Sequence, residues 1–430
     1  MGEGVDRPRA GIVVTGSELL TGAISDANGP WIARRLADLG FEVVHVVSAG
    51  DRPDDLVRAL EFLAGAGVSL VVTSGGLGPT ADDMTAEVVA GFAGVELEPD
   101  EAMRARIEEI LADWGARTGF AGPALDEATR KQALVPRGAT ALPPVGTAPG
   151  LVVDRPGGPL VVVLPGPPRE LQGMWPAVVA APAVKEMLAT VPPANARLLR
   201  FFGLPESEIA ATLREVGATR DLSGVEVGTC LRRSELEVDL RPRPGAEAVA
   251  EELAGLIVER HARNLVSAEG ATVDELVAQA LLGKEFMVAT GESCTGGLLA
   301  GRLVDRAGSS AYVSGGVVAY SNEAKTALLG VPAEMIAAHG AVSPEVARAL
   351  ADGARERFGA DVGVGITGVA GPGGGTEAKP VGYVCFCVTT SDGAVLARDP
   401  RLRGSRTDIR ERSVDTAMHL ILRAVSPRTG

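Results

Sequence analysis

The chain has little of what marks several common protein classes. Four cysteines in 430 residues are too few for the disulfide framework of a small secreted domain. Aromatic residues make up 3% of the chain and its net charge is −14, whereas nucleic-acid binders usually present stacking aromatics and a basic surface. No apolar run reaches the roughly 20 residues needed to span a bilayer, and Met1–Arg9 lacks the apolar core of a signal peptide. We therefore predict a cytoplasmic protein without membrane or nucleic-acid partners.

Histidine and lysine are also scarce. The four histidines all lie outside the glycine-rich motifs, so a Ser-His-Asp triad has little support. Lysine occurs five times among 41 basic residues, and arginine supplies the rest. A lysine beside a nucleophile motif is therefore a candidate base, because a desolvated lysine loses its proton more readily.

Short apolar segments alternate with amphipathic ones along most of the chain, which indicates parallel, doubly wound α/β sheets. The first strands are predicted at 10–14, 41–47 and 70–73, with helices at 29–39, 53–65 and 81–91 and a hairpin at 151–164. Residues 197–266 favour a small α+β insert, with helices at 206–216 and 246–261 around a strand at 235–240. From about Thr272 the βα alternation resumes.

The length allows two or three domains. We predict an N-terminal α/β domain over 1–175, an α+β linker domain over 176–268 and a C-terminal α/β domain over 269–430. The prolines near Val191 favour a boundary in that region.

The segment Thr290–Gly297 reads TGESCTGG and lies between an apolar run and an amphipathic run. This order predicts a strand, a tight turn and a helix, with Ser293 at the corner. The N–H groups at a helix start favour negative charge, so an oxyanion or a phosphate fits there. Ser293 is therefore a candidate nucleophile that needs a base.

The candidate base is Lys325, which follows Tyr320 in the segment AYSNEAK. If Lys325 is buried near Ser293, desolvation favours its neutral form, and Tyr320 could orient it or relay a proton. The alternative is a solvated lysine after a strand-end tyrosine, because such a combination also arises by chance.

A glycine-rich segment in the N-terminal part, Thr73–Thr85, follows a strand and opens a helix. Its glycines allow close approach of the backbone to an anion. Asp82 and Asp83, with Glu18 and Asp26, could supply oxygen ligands for a divalent metal that bridges a diphosphate. Thr80 and Asp83 equally fit a helix N-cap arrangement.

Two further loops are candidates for ligand contacts. Arg169, in LPGPPRE, could meet a phosphate, although a structural turn explains the motif equally well. The segment Gly365–Thr376 follows a predicted buried strand, so it would lie at the sheet edge where α/β folds bind ligands, with a structural loop as the alternative. Cys385 and Cys387 alternate within a strand and are predicted to share one core face.

Taken together, these motifs resemble the CinA family (competence/damage-inducible protein A) over residues 8–425. The motifs GSELL at 16–20 and GGLGPT at 75–80 are similar to those of molybdopterin-binding domains. The motifs ESCTGG at 292–297, YSNEAK at 320–325 and GITG at 365–368 resemble nicotinamide-nucleotide amidohydrolases. The resemblance implies two α/β domains, the first molybdopterin-binding-like and the second an amidohydrolase, joined by a KH-like insert.

For the C-terminal domain, the resemblance implies deamidation of nicotinamide mononucleotide to nicotinate mononucleotide and ammonia, with no cofactor. Ser293 would attack the amide carbon, Lys325 would take its proton with help from Tyr320, and Cys294 is the second candidate nucleophile. Backbone N–H groups of Cys294 and Thr295 would bind the oxyanion. The 5′-phosphate would lie near Thr367 and Gly368 and against an arginine. The expected substrate contacts are Glu292, Cys294, Thr295, Gly296, Thr367, Gly368, Arg406 and Arg410.

For the N-terminal domain, the resemblance implies cleavage of ADP-ribose with a divalent metal. Metal ligands are expected among Asp82, Asp83, Glu18 and Asp26, and substrate contacts from Gly76, Gly78, Thr80 and Arg169. Thr129 and Pro143 stand where asparagine is usual, which removes two amide donors. The alternatives are a pterin-binding module without hydrolysis and a non-catalytic partner of competence or recombination proteins. A homodimer is expected.

Overall fold

The computed structural model describes residues 7–118, 123–192 and 195–426. It forms two compact units, one of Met1–Ala196 with Arg243–Gly245 and one of Arg197–Pro242 with Ala246–Gly430. None of the described helices combines the length and apolar character of a membrane span.

The first unit is built on a mixed six-stranded sheet. Its elements are β1 (Arg9–Thr15), α1 (Ser17–Leu20), α2 (Asn28–Asp38), β2 (Glu42–Ala49), α3 (Pro53–Gly65), β3 (Leu70–Ser74), α4 (Thr85–Ala93), β4 (Leu97–Pro99), α5 (Glu101–Thr118), α6 (Pro123–Gln132), β5 (Leu134–Pro136), β6 (Thr140–Leu142), β7 (Gly150–Val153), β8 (Leu160–Leu164), α7 (Pro168–Ala180) and α8 (Pro182–Leu188).

The sheet order is β2-β1-β3-β8-β7-β6, and β4 pairs separately with β5. Four neighbouring strands, β2, β1, β3 and β8, run parallel. Strand β7 pairs antiparallel with β8, which confirms the predicted hairpin. Strands β3 and β8 are buried along their whole length, as expected for strands covered by helices on both faces. Trp31 of α2 and Trp175 of α7 meet edge to face, 5.4 Å between ring centroids, in the core on one of these faces.

Two details of this unit differ from the sequence-based expectation. The helix predicted at 81–91 begins at Thr85, because the residues before it form a turn held by Thr80 and Asp83. The predicted boundary at residue 175 falls inside α7, whereas the chain passes to the second unit after Ala196. The physical reason is that Trp175 and Val178 are buried in the core of the first sheet.

The second unit begins with β9 (Arg197–Phe202), α9 (Glu206–Gly217), β10 (Val225–Arg232), β11 (Glu235–Pro242), α10 (Glu247–Arg260) and β12 (Leu265–Ser267). The four strands form an antiparallel sheet in the order β10-β11-β9-β12. Its helices and its strand β11 lie close to the predicted positions. That this segment is KH-like, and that it ends at residue 268, stay predictions.

The remainder of the second unit is a five-stranded sheet with helices on both faces. Its elements are α11 (Val273–Lys284), β13 (Val288–Glu292), α12 (Leu298–Val304), β14 (Val313–Val318), α13 (Asn322–Leu329), α14 (Ala333–His339), α15 (Pro344–Phe358), β15 (Val362–Gly368), β16 (Val384–Thr390), β17 (Val395–Arg398) and α16 (Arg406–Val425).

The order of this sheet is β14-β13-β15-β16-β17. Strand β13 pairs parallel with β14 on one side and with β15 on the other, so the chain passes from β13 to β14 and then crosses to the opposite side of β13 to form β15. Such a switch point opens a crevice at the carboxyl ends of the strands, where α/β folds bind ligands. Cys385 and Cys387 do share one buried face, against α15.

Candidate active site

The loop Ser293–Gly297, here called the nucleophile loop, leaves the carboxyl end of β13. Gly296 and Gly297 have φ values of 63° and 91°, in the left-handed region that favours glycine, which makes the corner tight. The Ser293 N–H donates to the Ile366 carbonyl of β15 at 2.9 Å. The serine is thus fixed at the switch point and is almost buried.

The Glu292 side chain is buried beneath the nucleophile loop, against the start of α12, and does not face the site. Its fully buried carboxylate accepts hydrogen bonds from the N–H groups of Gly297 (3.0 Å), Leu299 (3.1 Å) and Ala300 (2.8 Å). These are orphan donors at the start of α12, so Glu292 caps that helix from a distance. The expectation that Glu292 contacts substrate is therefore wrong, since its acceptor oxygens are occupied.

Lys325 and Ser293 meet, although they lie far apart in sequence. Lys325 Nζ lies 3.1 Å from Ser293 Oγ, and the lysine side chain is 1% exposed. Lys325 is placed by α13, whose start is capped by the Ser321 hydroxyl accepting from the Ala324 N–H at 3.1 Å. The scarce lysine that the motif singled out is thus in contact with the candidate nucleophile.

The surroundings of Lys325 favour its neutral form. Burial lowers the pKa of Lys325, and Cys294 and Glu323 oppose that effect to a smaller extent. The carbonyls of Ala319 (3.1 Å) and Tyr320 (3.0 Å) accept two hydrogen bonds from Nζ. A neutral amine has two N–H donors, so these carbonyls use both and leave the lone pair for the Ser293 hydroxyl. The geometry is that of a general base.

Tyr320 contacts Lys325 in a different way from the one expected. Its backbone carbonyl, and not its hydroxyl, receives the Lys325 hydrogen bond. The ring is 62% exposed, and its hydroxyl accepts from Arg406 Nη2 at 3.1 Å. The Tyr320 hydroxyl thus contacts Arg406 and not Lys325 in this structure, so a proton relay through it stays a prediction, and the exposed ring is available at the mouth of the site.

The Cys294 thiol is a poor alternative nucleophile. Burial raises the pKa of Cys294 to about 12, so the thiolate is not formed near neutral pH. Its side chain packs in the main hydrophobic core of this unit, 6% exposed. Its backbone still belongs to the loop, where its carbonyl accepts a hydrogen bond from Arg410.

The two arginines expected near a phosphate have separate partners. Arg410 donates from Nε to the Cys294 carbonyl (3.1 Å) and from Nη2 to the Thr295 carbonyl (2.8 Å). Arg406 is exposed, and its Nη1 donates to the Gly371 carbonyl at 2.7 Å. Arg410 thus binds the protein's own loop, whereas Arg406 lies at the open side of the site.

Thr367 and Gly368, at the end of β15, are engaged within the protein. The Thr367 hydroxyl donates to the Ala341 carbonyl at 2.7 Å. A Cβ on Gly368 would lie 2.7 Å from a Val384 methyl, so this glycine serves close packing of β15 against β16. Neither residue has the free side-chain donor that a direct phosphate contact would use. The buried Thr295 hydroxyl, by contrast, has no hydrogen-bond partner in the described part of the chain.

The N-terminal loop needs its glycines for internal packing. A Cβ on Gly76 would lie 2.1 Å from Thr85 Oγ1, and one on Gly78 would lie 2.4 Å from Asp83 Oδ2. The Thr85 hydroxyl donates to the Gly75 carbonyl at 2.9 Å, which ties the loop to the start of α4. The predicted strand, loop and helix are thus present, with the backbone in a close turn.

The four expected metal ligands do not form a cluster. Among the described residues no group of three or more acidic, histidine or cysteine side chains could hold a metal ion. Asp26 accepts from the N–H groups of Asn28 and Gly29, both at 2.9 Å, at the start of α2. Asp83 accepts from the Thr80 N–H at 2.9 Å, and Asp82 bonds the Thr80 hydroxyl, which lowers the pKa of Asp82. Glu18 is exposed on the surface. The residues present do not fit the metal that the resemblance implies, because the carboxylates of Asp26, Asp82 and Asp83 accept hydrogen bonds from nearby N–H and hydroxyl groups.

Two amides near this loop were missed by the sequence reasoning. Buried Asn28 donates to Ser74 Oγ (2.9 Å) and to the Gly166 carbonyl (2.6 Å), and its Oδ1 has no partner in the described residues. Gln132 donates to the Leu77 carbonyl at 3.0 Å. The asparagine that follows Asp26 at the start of a helix was the available signal. Arg169 is exposed at the start of α7, as is Pro143 on its loop, while Thr129 is buried.

Comparison with known proteins gives matches over both units. Residues 11–186 match a family described as a probable molybdopterin binding domain, and residues 270–425 match the CinA C-terminal domain. A CinA-like protein of Mycolicibacterium gilvum is 57% identical over 420 residues, covering 97% of this chain and 99% of its own. A CinA-like protein of Mycolicibacterium vanbaalenii gives the same identity and coverage.

Among solved structures, competence/damage inducible protein CihA from Agrobacterium tumefaciens is 43% identical, with a TM-score of 0.34. That match covers 35% of this chain and 93% of the other. The identity to relatives across nearly the whole length establishes that this chain belongs to the CinA family.

Proposed function

We propose that the C-terminal part of the chain is an amidase that hydrolyses the carboxamide of nicotinamide mononucleotide to nicotinate mononucleotide and ammonia. The observation that carries this proposal is the 3.1 Å contact between the buried Lys325 Nζ and Ser293 Oγ. A serine beside a neutral amine is an activated nucleophile that needs neither histidine nor metal.

In the proposed reaction, Ser293 Oγ attacks the carboxamide carbon while its proton passes to Lys325 Nζ. The carbonyl oxygen becomes an oxyanion, which the N–H groups of Cys294 and Thr295 would stabilise. Collapse of this intermediate breaks the C–N bond, and the ammonium of Lys325 returns the proton to the leaving amine, so that ammonia departs. Water, activated by Lys325, then hydrolyses the serine ester and releases the carboxylate product.

Exposed residues at the mouth fit the rest of such a substrate. The Tyr320 ring offers a π face, which attracts a cationic pyridinium ring. Arg406 lies beside that ring and carries the charge that a 5′-phosphate needs. These two contacts would favour the nucleotide over a free, uncharged amide.

The test is ammonia release from nicotinamide mononucleotide by the wild type and two variants. Ser293→Ala should reduce turnover to background, and Lys325→Ala should lower kcat by about 10²–10⁴-fold, the usual contribution of a general base. Lys284→Ala is the matched control, because that lysine is on the surface and pairs with Asp392. Turnover retained in Ser293→Ala would exclude the mechanism; no turnover in folded wild type would favour the non-catalytic partner role.

For the N-terminal part, a ligand-binding module without hydrolysis has better support than an ADP-ribose pyrophosphatase. The supporting observation is that no three of the expected carboxylates come together in the described residues: Asp82 and Asp83 both lie against the Thr80 hydroxyl, while Asp26 accepts from backbone N–H groups at the start of α2. A pterin or nucleotide phosphate could then be bound by the backbone of the glycine-rich loop. Cleavage of ADP-ribose in the presence of a divalent cation would contradict this proposal.

A further inference from the structure

Arg410 makes two hydrogen bonds to adjacent carbonyls of the nucleophile loop. Its Nε donates to the Cys294 oxygen at 3.1 Å and its Nη2 to the Thr295 oxygen at 2.8 Å. The planar guanidinium presents these donors in a fixed fork, so the two bonds together define the orientation of both carbonyls. The side chain is half-buried, which limits competition from water.

Fixing a carbonyl also fixes the N–H group of the same peptide unit. In a trans peptide the C=O and N–H bonds point in opposite directions. The Cys294 carbonyl, bound by Arg410, therefore turns the Thr295 N–H away from the guanidinium. The Ser293 carbonyl accepts from the Gly296 N–H at 3.1 Å, which orients the Cys294 N–H in the same manner.

These bonds leave the N–H groups of Cys294 and Thr295 without a backbone oxygen acceptor within the described residues. Both N–H groups act on the Cys294 sulfur, where they oppose the effect of burial on the pKa of that thiol, so an oxyanion would take the place of a weak sulfur acceptor. The two residues directly follow Ser293 in the nucleophile loop. Their N–H groups therefore lie close to the position at which a tetrahedral intermediate on Ser293 would place its oxyanion. We propose that Arg410 is a positioning residue that orients the oxyanion-binding N–H groups, and not a ligand of the substrate phosphate. This inference rests on the proposed amidase function.

The neighbouring arginine makes the division of roles clear. Arg406 and Arg410 lie one turn apart on the same face of α16. Arg406 is exposed and bonds the Tyr320 hydroxyl and the Gly371 carbonyl at the open side of the site. Arg406 thus faces the substrate side, while Arg410 faces the loop.

Helix α16 gives Arg410 a rigid base. From Ser413 to Ile421 every side chain of this helix is buried. Asp415 also accepts from Arg302 Nη1 of α12 at 2.6 Å, so the helix that follows the nucleophile loop and the helix that carries Arg410 are joined. A guanidinium on such a support holds the loop more precisely than a flexible side chain would.

The experiment compares Arg410→Ala and Arg410→Lys with Arg406→Ala, and uses Arg412→Ala as an exposed control on the same helix. Each is assayed on nicotinamide mononucleotide and on nicotinamide riboside, which lacks the phosphate. Arg410→Ala should lower kcat on both substrates by a similar factor, about 10²-fold, with little change in KM. Arg406→Ala should raise KM for the nucleotide only.

A rescue experiment completes the test. Added guanidinium should restore part of the turnover of Arg410→Ala. The kcat of Arg410→Lys should lie between those of the wild type and Arg410→Ala, because an ammonium cannot bond both carbonyls in the same way.

A rise in KM confined to the nucleotide in Arg410→Ala would overturn the proposal, because that is the signature of a phosphate ligand. A crystal structure of Arg410→Ala provides a test that is independent of turnover. The Cys294–Thr295 peptide should be reoriented in it, and an unchanged loop would equally overturn the proposal. Failure of the amidase proposal is recognised separately, by absence of turnover in the wild type.

Discussion

Burial changes what Lys325 can do. In water its ammonium would be solvated, but in the site it is enclosed by two main-chain carbonyls and the Ser293 hydroxyl. Because burial penalises the charged form, the pKa of Lys325 is lowered. At any given pH, a larger fraction of Lys325 is therefore in the neutral form that can act as a base than for an exposed lysine.

The pH dependence of kcat/KM follows from this shift. Protonated Lys325 cannot accept the Ser293 proton, so activity should increase as the pH rises through the lowered pKa of Lys325, and level off below its ordinary value of 10.5. A pH series of kcat/KM on nicotinamide mononucleotide measures this. Lys325→Arg, which stays charged, should be inactive across the series. Activity that appears only near 10.5 would contradict a depressed pKa.

The sequence predicted side chains that act through their own chemistry better than those that act through the backbone. Ser293 and Lys325 stand out because motif and scarcity coincide. Glu292 and Arg410 bind main-chain groups of a loop, and no pattern of side chains reveals such partners. For that reason both were interpreted as substrate contacts.

At the scale of elements, helix α15 lies unusually close to the sheet. A Cβ on Gly365 would lie 1.9 Å from the Ala347 carbonyl, and one on Gly363 would lie 2.1 Å from the Ala351 carbonyl. These glycines therefore let α15 approach β15 directly. The sequence interpretation placed Gly365 in a ligand loop; the structure places it inside β15.

Gly365→Ala should destabilise the second unit, because the added methyl cannot fit without moving α15 from the sheet. Overpacking of this kind costs about 1–3 kcal/mol, and urea unfolding measures it. Gly373→Ala is the matched control, since a Cβ there meets nothing within 4 Å. Equal stability of the two variants would mean that α15 can move away from β15 without loss of free energy of unfolding.

The alternation of strands and helices was predictable because apolar periodicity reports on local structure. The short strands β4–β6 and helices α5 and α6 are not among the predicted elements; each of these strands has only three residues, too few to show a period. Helix α4 began later than expected because Asp83 fixes a turn before it. At the start of α4, a hydrogen bond to a side chain thus determines the local structure in place of the apolar pattern.

At the scale of the whole molecule, the middle segment and the C-terminal sheet form one compact unit. Side-chain contacts join them: Ser234 Oγ donates to Asp415 at 2.6 Å, and the rings of Phe202 and His419 stack with 3.8 Å between their centroids. The sequence could not show this, because Ser234 and Asp415 lie 181 residues apart. The boundary predicted at residue 268 therefore lies within this unit, whereas the prolines near Val191 lie close to the passage from the first unit to the second.

Asp415→Ala should lower the free energy of unfolding of this unit by about 3 kcal/mol, because it removes one partner of a buried ion pair. Amide hydrogen exchange should show faster opening of β10, β11 and α16. Glu411→Ala, exposed one turn earlier on α16, should have no such effect. Unchanged exchange after Asp415→Ala would mean that hydrophobic packing alone joins the two sheets.

The Trp31–Trp175 pair has a consequence for how the molecule can be observed. The three tryptophans, Trp31, Trp114 and Trp175, all belong to the first unit, and the three tyrosines, Tyr312, Tyr320 and Tyr383, all belong to the second. Indole fluorescence therefore reports on one half of the chain alone. Each half has its own intrinsic optical label, so ligand titrations can be assigned to a unit without any engineered dye.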